Sequence, residues 1–462
     1  MRFTRRILFG ILTGVVASGF SACDKTQKDE PTPEGPEGAL TGVIAPVVTP
    51  GAVDPSVTGV LSTTEAGNYI ETTAKQLDEI CNPQDQKEAV NALVEIAEVL
   101  DSYDFNTEEP QLAKSLARAA RKMARGAKGG DFAAVPRAAQ EVVYDLEVSP
   151  YAYTGVYTPV YDNEEEEFVW TRTADSANQI IFRSEKDGVD VVMTVSSNSW
   201  TGKFTTTDYD YDYVNGNYQE YDIINNWTVR VPAQVNLNMG YRGESAASAV
   251  VVSNFNESGH TLEVKASAKL ANIIANAQVS GTDTKVTEIS DATVGGTRIF
   301  YSTAEVTGNG LCDRQKLENI FSQDQEVIAE QIDNLFTGAT VKANILERIQ
   351  LESKCSSLRE LVKAGDYDDE VQAEVDAFAN ALNNAVKTNL YFGNTGYDQG
   401  SLTWGVMPVT DYWITYYEVS PMIQLASGGS PMSVEEFFDS DTLKGAIKAI
   451  EQIINAYGKL FD

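Results

Sequence analysis

Apolar and polar positions along the chain fall into three blocks with different periods. From about residue 63 to 148 apolar residues recur at helical spacing. That spacing predicts helices over 70–80, 86–100 and 111–128, with Asp85 and Asn106 as caps. From about 151 to 307 the period drops to two, and Thr, Val, Tyr and Ile become dense. This predicts strands over 189–196, 202–214, 218–231, 234–241, 246–254, 261–270, 272–279 and 297–306. Turn signals such as Asp187-Gly188 and Asn215-Gly216 separate them at hairpin spacing, which favours antiparallel pairing. No helix-length pattern interrupts the strands, so a doubly wound parallel sheet is excluded. So long a run of hairpins must curve, because neighbouring strands twist.

From residue 313 the helical spacing returns. Leu317, Ile320, Phe321, Ile328, Ile332 and Leu335 form one stripe. Leu443, Ile447, Ile450, Ile454, Tyr457 and Phe461 form another, capped by Ser440 or Asp441. Between them, the aromatic and apolar stretch 402–423 is expected to rejoin the sheet. The fold class is therefore α+β: a large curved antiparallel meander sheet packed with an N-terminal helical block and C-terminal helices. A single interlocked body over 63–462 is expected, helical over 63–149, sheet over 150–310, then helices and returning strands over 311–462.

Residues 1–22 read as a targeting segment. Arg2, Arg5 and Arg6 precede an apolar run over 7–20 that is too short to span a membrane comfortably. The run ends Phe20-Ser21-Ala22-Cys23, which resembles a bacterial lipobox, in which the cysteine takes a lipid and becomes the first residue. Cys23 is thus the expected lipid attachment site, with the membrane reached through its acyl anchor. Residues 24–55 hold six of the chain's fifteen prolines. A segment of this kind, within an expected tether over 23–62, should behave as an extended, solvated spacer.

Charge sharpens the picture. The chain has 67 acidic and 35 basic residues and one histidine, His260, for a net charge of −32. Loss of residues 1–22 removes three arginines and takes the charge to −35. Such acidity argues against sequence-independent nucleic-acid binding, which needs clustered cations. One histidine excludes His-rich zinc centres and HExxH chemistry. No cofactor motif is present: there is no phosphate-binding loop, dinucleotide fingerprint or nucleophile elbow.

Beyond Cys23 the cysteines are Cys81, Cys312 and Cys355. Three thiols allow at most one bridge. Cys312 and Cys355, read as lying on successive helical segments, are the simplest pair to join; three buried thiols are the alternative. A nucleophilic cysteine would have only His260 as base, and His260 reads as a solvated strand-edge residue.

Two local patterns carry candidate chemistry. Asp208, Asp210 and Asp212 alternate with Tyr209, Tyr211 and Tyr213, so their carboxylates share one strand face and are a candidate site for a cation or ligand; the spacing does not fit a calcium loop. A wet face over a tyrosine-packed one is the plainer reading. Lys114, Arg118, Arg121, Lys122, Arg125 and Lys128 fall in one arc of a helix opposite Leu112, Leu116 and Met123. They offer either contact with an anionic surface or pairing with the protein's own acids. Residues 164–167 read as a solvated hairpin tip.

The anchor, Pro-rich tether, Tyr/Trp-rich hairpins and the closing Tyr417-Glu418-Val419-Ser420-Pro421 stretch together resemble envelope lipoproteins of gut and oral Bacteroidetes. That resemblance implies a cell-envelope location, lipid-anchored to the outer membrane on its surface or periplasmic face, and no particular activity. The triplets beginning at Asp175 and Asp441 are similar to O-glycosylation sites of those bacteria, which marks Ser176 and Thr442. The expected function is non-enzymatic binding of a glycan, lipid or protein partner through the curved sheet. A carboxylate-based glycan-processing enzyme and a structural or fimbria-associated component stay open as alternatives.

Overall fold

The structure is a computed structural model. It describes residues 50–433 apart from 82–83, 106–111, 130–135, 137, 139–149, 165, 215–216, 257–258, 322, 324, 366, 412–413 and 429, together with 22–23, 42 and 44–47. The side chains of 201–229 lie outside the description. So does everything after 433, including the second apolar stripe and its cap.

Three helices come first: α1 (Thr63–Ile80), α2 (Gln84–Ser102) and α3 (Leu112–Gly129). α1 starts seven residues before the expected 70, because Ser62 and Glu65 form a capping box. The Ser62 side chain accepts from the Glu65 N–H, and the Glu65 carboxylate accepts from the Ser62 N–H. Asp85 lies in the first turn of α2, and Asn106 is outside the described residues.

The strands are β1 (Gly155–Asp162), β2 (Glu167–Ala174), β3 (Gln179–Ser184), β4 (Val189–Val195), β5 (Ser199–Val214), β6 (Asn217–Pro232), β7 (Gln234–Tyr241), β8 (Glu244–Asn256), β9 (Thr261–Leu270), β10 (Ile273–Gly281), β11 (Lys285–Val294) and β12 (Thr297–Gly308). Helices α4 (Arg314–Phe321) and α5 (Gln325–Leu335) follow, then β13 (Phe336–Ile345) and β14 (Ile349–Cys355). After α6 (Arg359–Ala364) and α7 (Gln372–Ala385) the chain closes with β15 (Val386–Phe392), β16 (Asp398–Asp411) and β17 (Ile414–Leu425).

Fifteen of these strands form one mostly antiparallel sheet in the order β2-β1-β3-β4, then β7 through β17, so the protein is α+β. The β1–β3 ladder is parallel. β5 and β6 pair with each other in a sixteen-rung hairpin and leave the main sheet, where β4 pairs directly with β7. The Asp/Tyr alternation is therefore on an excursion from the meander. Its base is tied by the Ala233 N–H to the Asn198 carbonyl at 2.8 Å.

Three strands, β13 to β15, replace the helix expected over parts of 336–392. Cys355 consequently ends a strand, opposite Ala339 and Val386.

All seven helices among the described residues serve one face of the sheet. α2 and α3 bury Leu93, Ile96, Leu116 and Met123 against Val191, Leu237, Val251, Leu270, Ile273 and Val294. α1 packs Ala66 and Tyr69 against Leu390 and Phe392. α4 to α7 cover Leu262, Val279, Val286, Val306 and Phe336. On β9 to β12 the N-terminal helices thus sit over one end of the strands and the C-terminal helices over the other. Burying that many apolar side chains, at about 1.5–3 kcal/mol each, is what locks helices to sheet.

The expected spacer is only partly a spacer. The described residues of 44–61, all but 48 and 49, form a strap laid on the sheet. It starts over the face that carries no helices, where the Ile44 N–H donates to Ser267 Oγ (3.3 Å) and the Val47 N–H to Asp291 Oδ2 (2.8 Å). Arg298 Nη1 donates to the Val47 carbonyl at 2.5 Å. The strap then rounds the strand ends, with the Asp54 N–H on the Gly393 carbonyl (2.9 Å), and the Leu61 N–H on Gln399 Oε1 (2.9 Å) leads into α1. Proline prevents helix here, as expected, but side chains of the sheet satisfy the strap's main chain in place of water.

Candidate functional site

Cross-strand register sets out what lies between the two helical groups. On the helix-bearing face one row runs Ala277, Ser290, Ser302, Ala343, Leu351 across β10 to β14. The next runs Glu288, Ala304, Val341, Ser353, Thr388 across β11 to β15. To one side of these rows lie Val286, Val306 and Ala339 under the C-terminal helices, and to the other Ala292 and Phe300 towards α2 and α3. The two central rows are only half covered, and Val341 and Ile345 are 41% exposed on a face whose other large side chains are mostly buried. A slot therefore crosses the sheet. It spans five strands, about 19 Å at ~4.8 Å per strand, and is two side-chain rows wide, with same-face neighbours about 7 Å apart.

The floor of the slot is small. Ala304 and Ala343 contribute methyls and Val341 adds an exposed branched side chain, while the exposed Ile345 borders the floor in the row of Ala292 and Phe300. The hydroxyls are already paired, Ser290 with Ser302 at 2.7 Å and Ser353 with Thr388 at 2.8 Å. Glu288 is the carboxylate of the floor among the described residues, and it has a partner of its own. At the far end Trp404 is fixed by Asn383, whose amide donates to the Trp404 carbonyl and accepts from its N–H, both at 2.7 Å. That side chain substitutes for a strand where β16 outruns β15. Comparison of the chain with protein-family models, curated proteins and solved structures finds no match.

Cys23 pairs its backbone with Gly202 of β5, and its side chain is outside the described residues. Asp208, Asp210 and Asp212 lie on β5 opposite Ile223, Tyr221 and Gln219, so the strand alternation holds in the backbone. Their carboxylates are also outside the description. Ser176, in the β2–β3 loop, is half-buried, and its Oγ accepts from the Gln179 N–H at 3.1 Å. Thr442 lies outside the described residues. Residues 163, 164 and 166 lie in the turn between β1 and β2, where the acidic tip was expected.

The basic face of α3 has the predicted geometry: Leu112, Leu116 and Met123 are buried, and Lys114, Arg118, Lys122 and Arg125 are exposed. Arg121 pairs with Asp101 at 2.5 Å and Lys114 stands 3.9 Å from Asp104. Arg118 and Lys122 also have partners. The Lys128 side chain is not described.

The bridge between Cys312 and Cys355 is not formed: both are free thiols, as is Cys81. Cys312 Sγ packs beside Gly281 at the β10–β11 end, and Cys355 Sγ donates instead to the Ser357 carbonyl at 3.6 Å. Burial, together with the Asp283 carboxylate, pushes the Cys312 thiol up to about 12. Burial also raises Cys355. His260 precedes β9 with φ +46° and holds Asp283 Oδ2 at 2.7 Å, so it is half-exposed but not merely solvated. A protonated, half-buried thiol beside that pair is poorly placed for nucleophilic work. Among the described residues no three His, Cys, Asp or Glu side chains gather as a metal cluster, and no helix is long and apolar enough to cross a membrane.

Sequence reasoning missed the slot residues on β11, β13, β14 and β15. The available signal was the period-two run from Thr337 to Ile345, weakened by the small residues that make the floor.

Proposed function

We propose that this is a lipid-anchored envelope protein that binds without transforming, holding one acyl chain in the slot on the helix-bearing face. The observation that carries the reading is the exposure of Val341 and Ile345 on the face that otherwise forms the core. Leaving two branched side chains in water there has a cost that an apolar occupant removes. A peptide lying across the strands would need partners for its own N–H and C=O groups. The floor hydroxyls are committed to one another, so an occupant without such groups fits better. Aromatic rings, the usual platform for sugars, border the slot at Phe300 and Trp404 rather than forming its floor.

The test is displacement of a fluorescent long-chain fatty acid from the full chain. Val341→Phe and Ala343→Phe, which fill the floor, are expected to weaken binding at least ~10-fold, equivalent to about 1.4 kcal/mol. Unchanged affinity in both folded variants refutes the slot as the site. Native mass spectrometry of envelope-extracted protein reads the acyl group on Cys23 and any retained lipid independently.

A further inference from the structure

The strap is held by main-chain bonds and by the Asp54 side chain; Val57 is buried against Tyr69 and Phe392 and Leu61 is half-buried beside it, while its other large apolar side chains point away. Ile44, Val47, Val53 and Val60 are 53–60% exposed. Among the described residues these are four of the twelve large apolar side chains that stand exposed, within eighteen residues. Tyr397 is a fifth, on the β15–β16 turn where Asn394 reaches the Ala52 carbonyl. Isolated exposed valines are ordinary. Here Ile44 and Val47 stand together on the helix-free face, fixed by Ser267, Asp291 and Arg298, and Val53 follows where the strap rounds the strand ends.

The sheet face beneath the start of the strap differs in charge from the rest of the molecule. Lys265, Lys285 and the pair Lys342 and Lys354 are answered by Glu263, Glu305 and Glu352 respectively. One of the last two lysines is therefore in excess. Lys269 and Lys387 project from the same face and are exposed. In a chain of net charge −32 this face is locally cationic.

We propose that the strap-bearing face is a second membrane contact: it lies on an anionic bilayer surface, with Ile44, Val47 and Val53 entering the headgroup boundary and the lysines facing lipid phosphates. Interfacial binding combines these two ingredients, apolar area and cationic attraction. The partner is the same bilayer that the proposed acyl anchor on Cys23 would reach, and the proposal rests on that reading only for its cellular setting.

Vesicle sedimentation of the mature-length chain carrying Cys23→Ser tests the contact without any acyl group. Binding is expected to vesicles of phosphatidylethanolamine with phosphatidylglycerol, to weaken in high salt, and to be much weaker on phosphatidylcholine alone. Replacing Ile44, Val47 and Val53 together by Ser is expected to reduce it at least ~10-fold, and Lys269→Glu to reduce it less. Thermal unfolding close to that of the parent shows that the variants are folded. Absence of binding to the anionic vesicles, or binding untouched by the serine variant, overturns the proposal. A dimer in native mass spectrometry that the serine variant dissolves overturns it too, since these side chains then serve a second copy. Failure here leaves the anchor itself to be judged by the mass of the Cys23 peptide, so the two readings fail separately.

Discussion

Asp54 is the fastening by which the strap is attached where it rounds the strand ends. Its Oδ1 accepts from the Ser56 N–H (2.9 Å) and hydroxyl (2.7 Å), and Oδ2 accepts from Tyr69 OH (3.0 Å) and Arg348 Nη1 (3.2 Å). Arg348 in turn lies 4.2 Å from the Tyr69 ring centroid, and its Nε donates to Thr73 Oγ1 at 3.0 Å. Asp54 and Arg348 side chains are 18% and 23% exposed, so the pair is screened less than a surface bridge. Asp54→Asn keeps the shape and removes the charge, leaving Arg348 without its counter-ion. Full burial would set the loss at about 3–5 kcal/mol, and partial exposure reduces it to about 2 kcal/mol. The strap can lift without unfolding the sheet, so that loss should appear as local opening: amides 54–61 exchanging about 30-fold faster while those of β9 and β10 hold. A cycle with Arg348→Met isolates the pair, and about 1–2 kcal/mol of coupling is expected. Additive single variants, or exchange that stays at the parent rate, refute this account of the fastening.

The same group sets a pH dependence. The Ser56 hydroxyl, aided by the Ser56 N–H, Tyr69 and Arg348, outweighs burial and holds the Asp54 carboxyl below its ordinary 3.8. A depressed carboxyl stabilises above the unfolded value and loses that contribution as pH falls through the folded one. Strap exchange attributable to Asp54 should therefore rise only below about pH 4, and Asp54→Asn should abolish the rise.

Asn383→Ala removes both hydrogen bonds to the Trp404 backbone; an expected loss of about 2–4 kcal/mol is measurable by urea unfolding, and a loss under ~0.5 contradicts the strand-substitute role. Cys81, Cys312 and Cys355 should react with a thiol reagent at pH 8 at least ~10-fold slower in the native protein than in urea, because Cys81 is enclosed and burial raises the other two; fast native labelling of Cys312 refutes its placement.

Where one face was buried and the other wet, the fold was legible residue by residue. The expected strands over 234–241 and 261–270 match β7 and β9 at both ends, since Val235, Leu237 and Met239 alternate with Asn236 and Asn238. α2 and α3 emerged from their apolar stripes for the same reason. β11 was missed because neither of its faces fits that rule. Glu288 and Ser290 line the slot on the core side, whereas Asp291 is buried under the strap on the other. β13 to β15 fell to the same combination of small floor residues and half-covered rows. The candidate site was thus least readable where the simple alternation fails. The strap was illegible for another reason. Its partners, Ser267, Asp291 and Arg298, are over two hundred positions away and bind its main chain, which leaves no pattern in the side chains.

Docking of the strap also fixes how the molecule carries load. A pull at the N-terminus acts first on single side-chain-to-backbone bonds at Val47 and then on the Asp54 fastening, before any helix or ladder is strained. Peeling residues 44–61 would lengthen the connection by about 60 Å at ~3.3 Å per residue while leaving the sheet and α1 intact. The strap is thus a releasable link with a reserve of length. Its release force is set by a handful of bonds rather than by the stability of the fold.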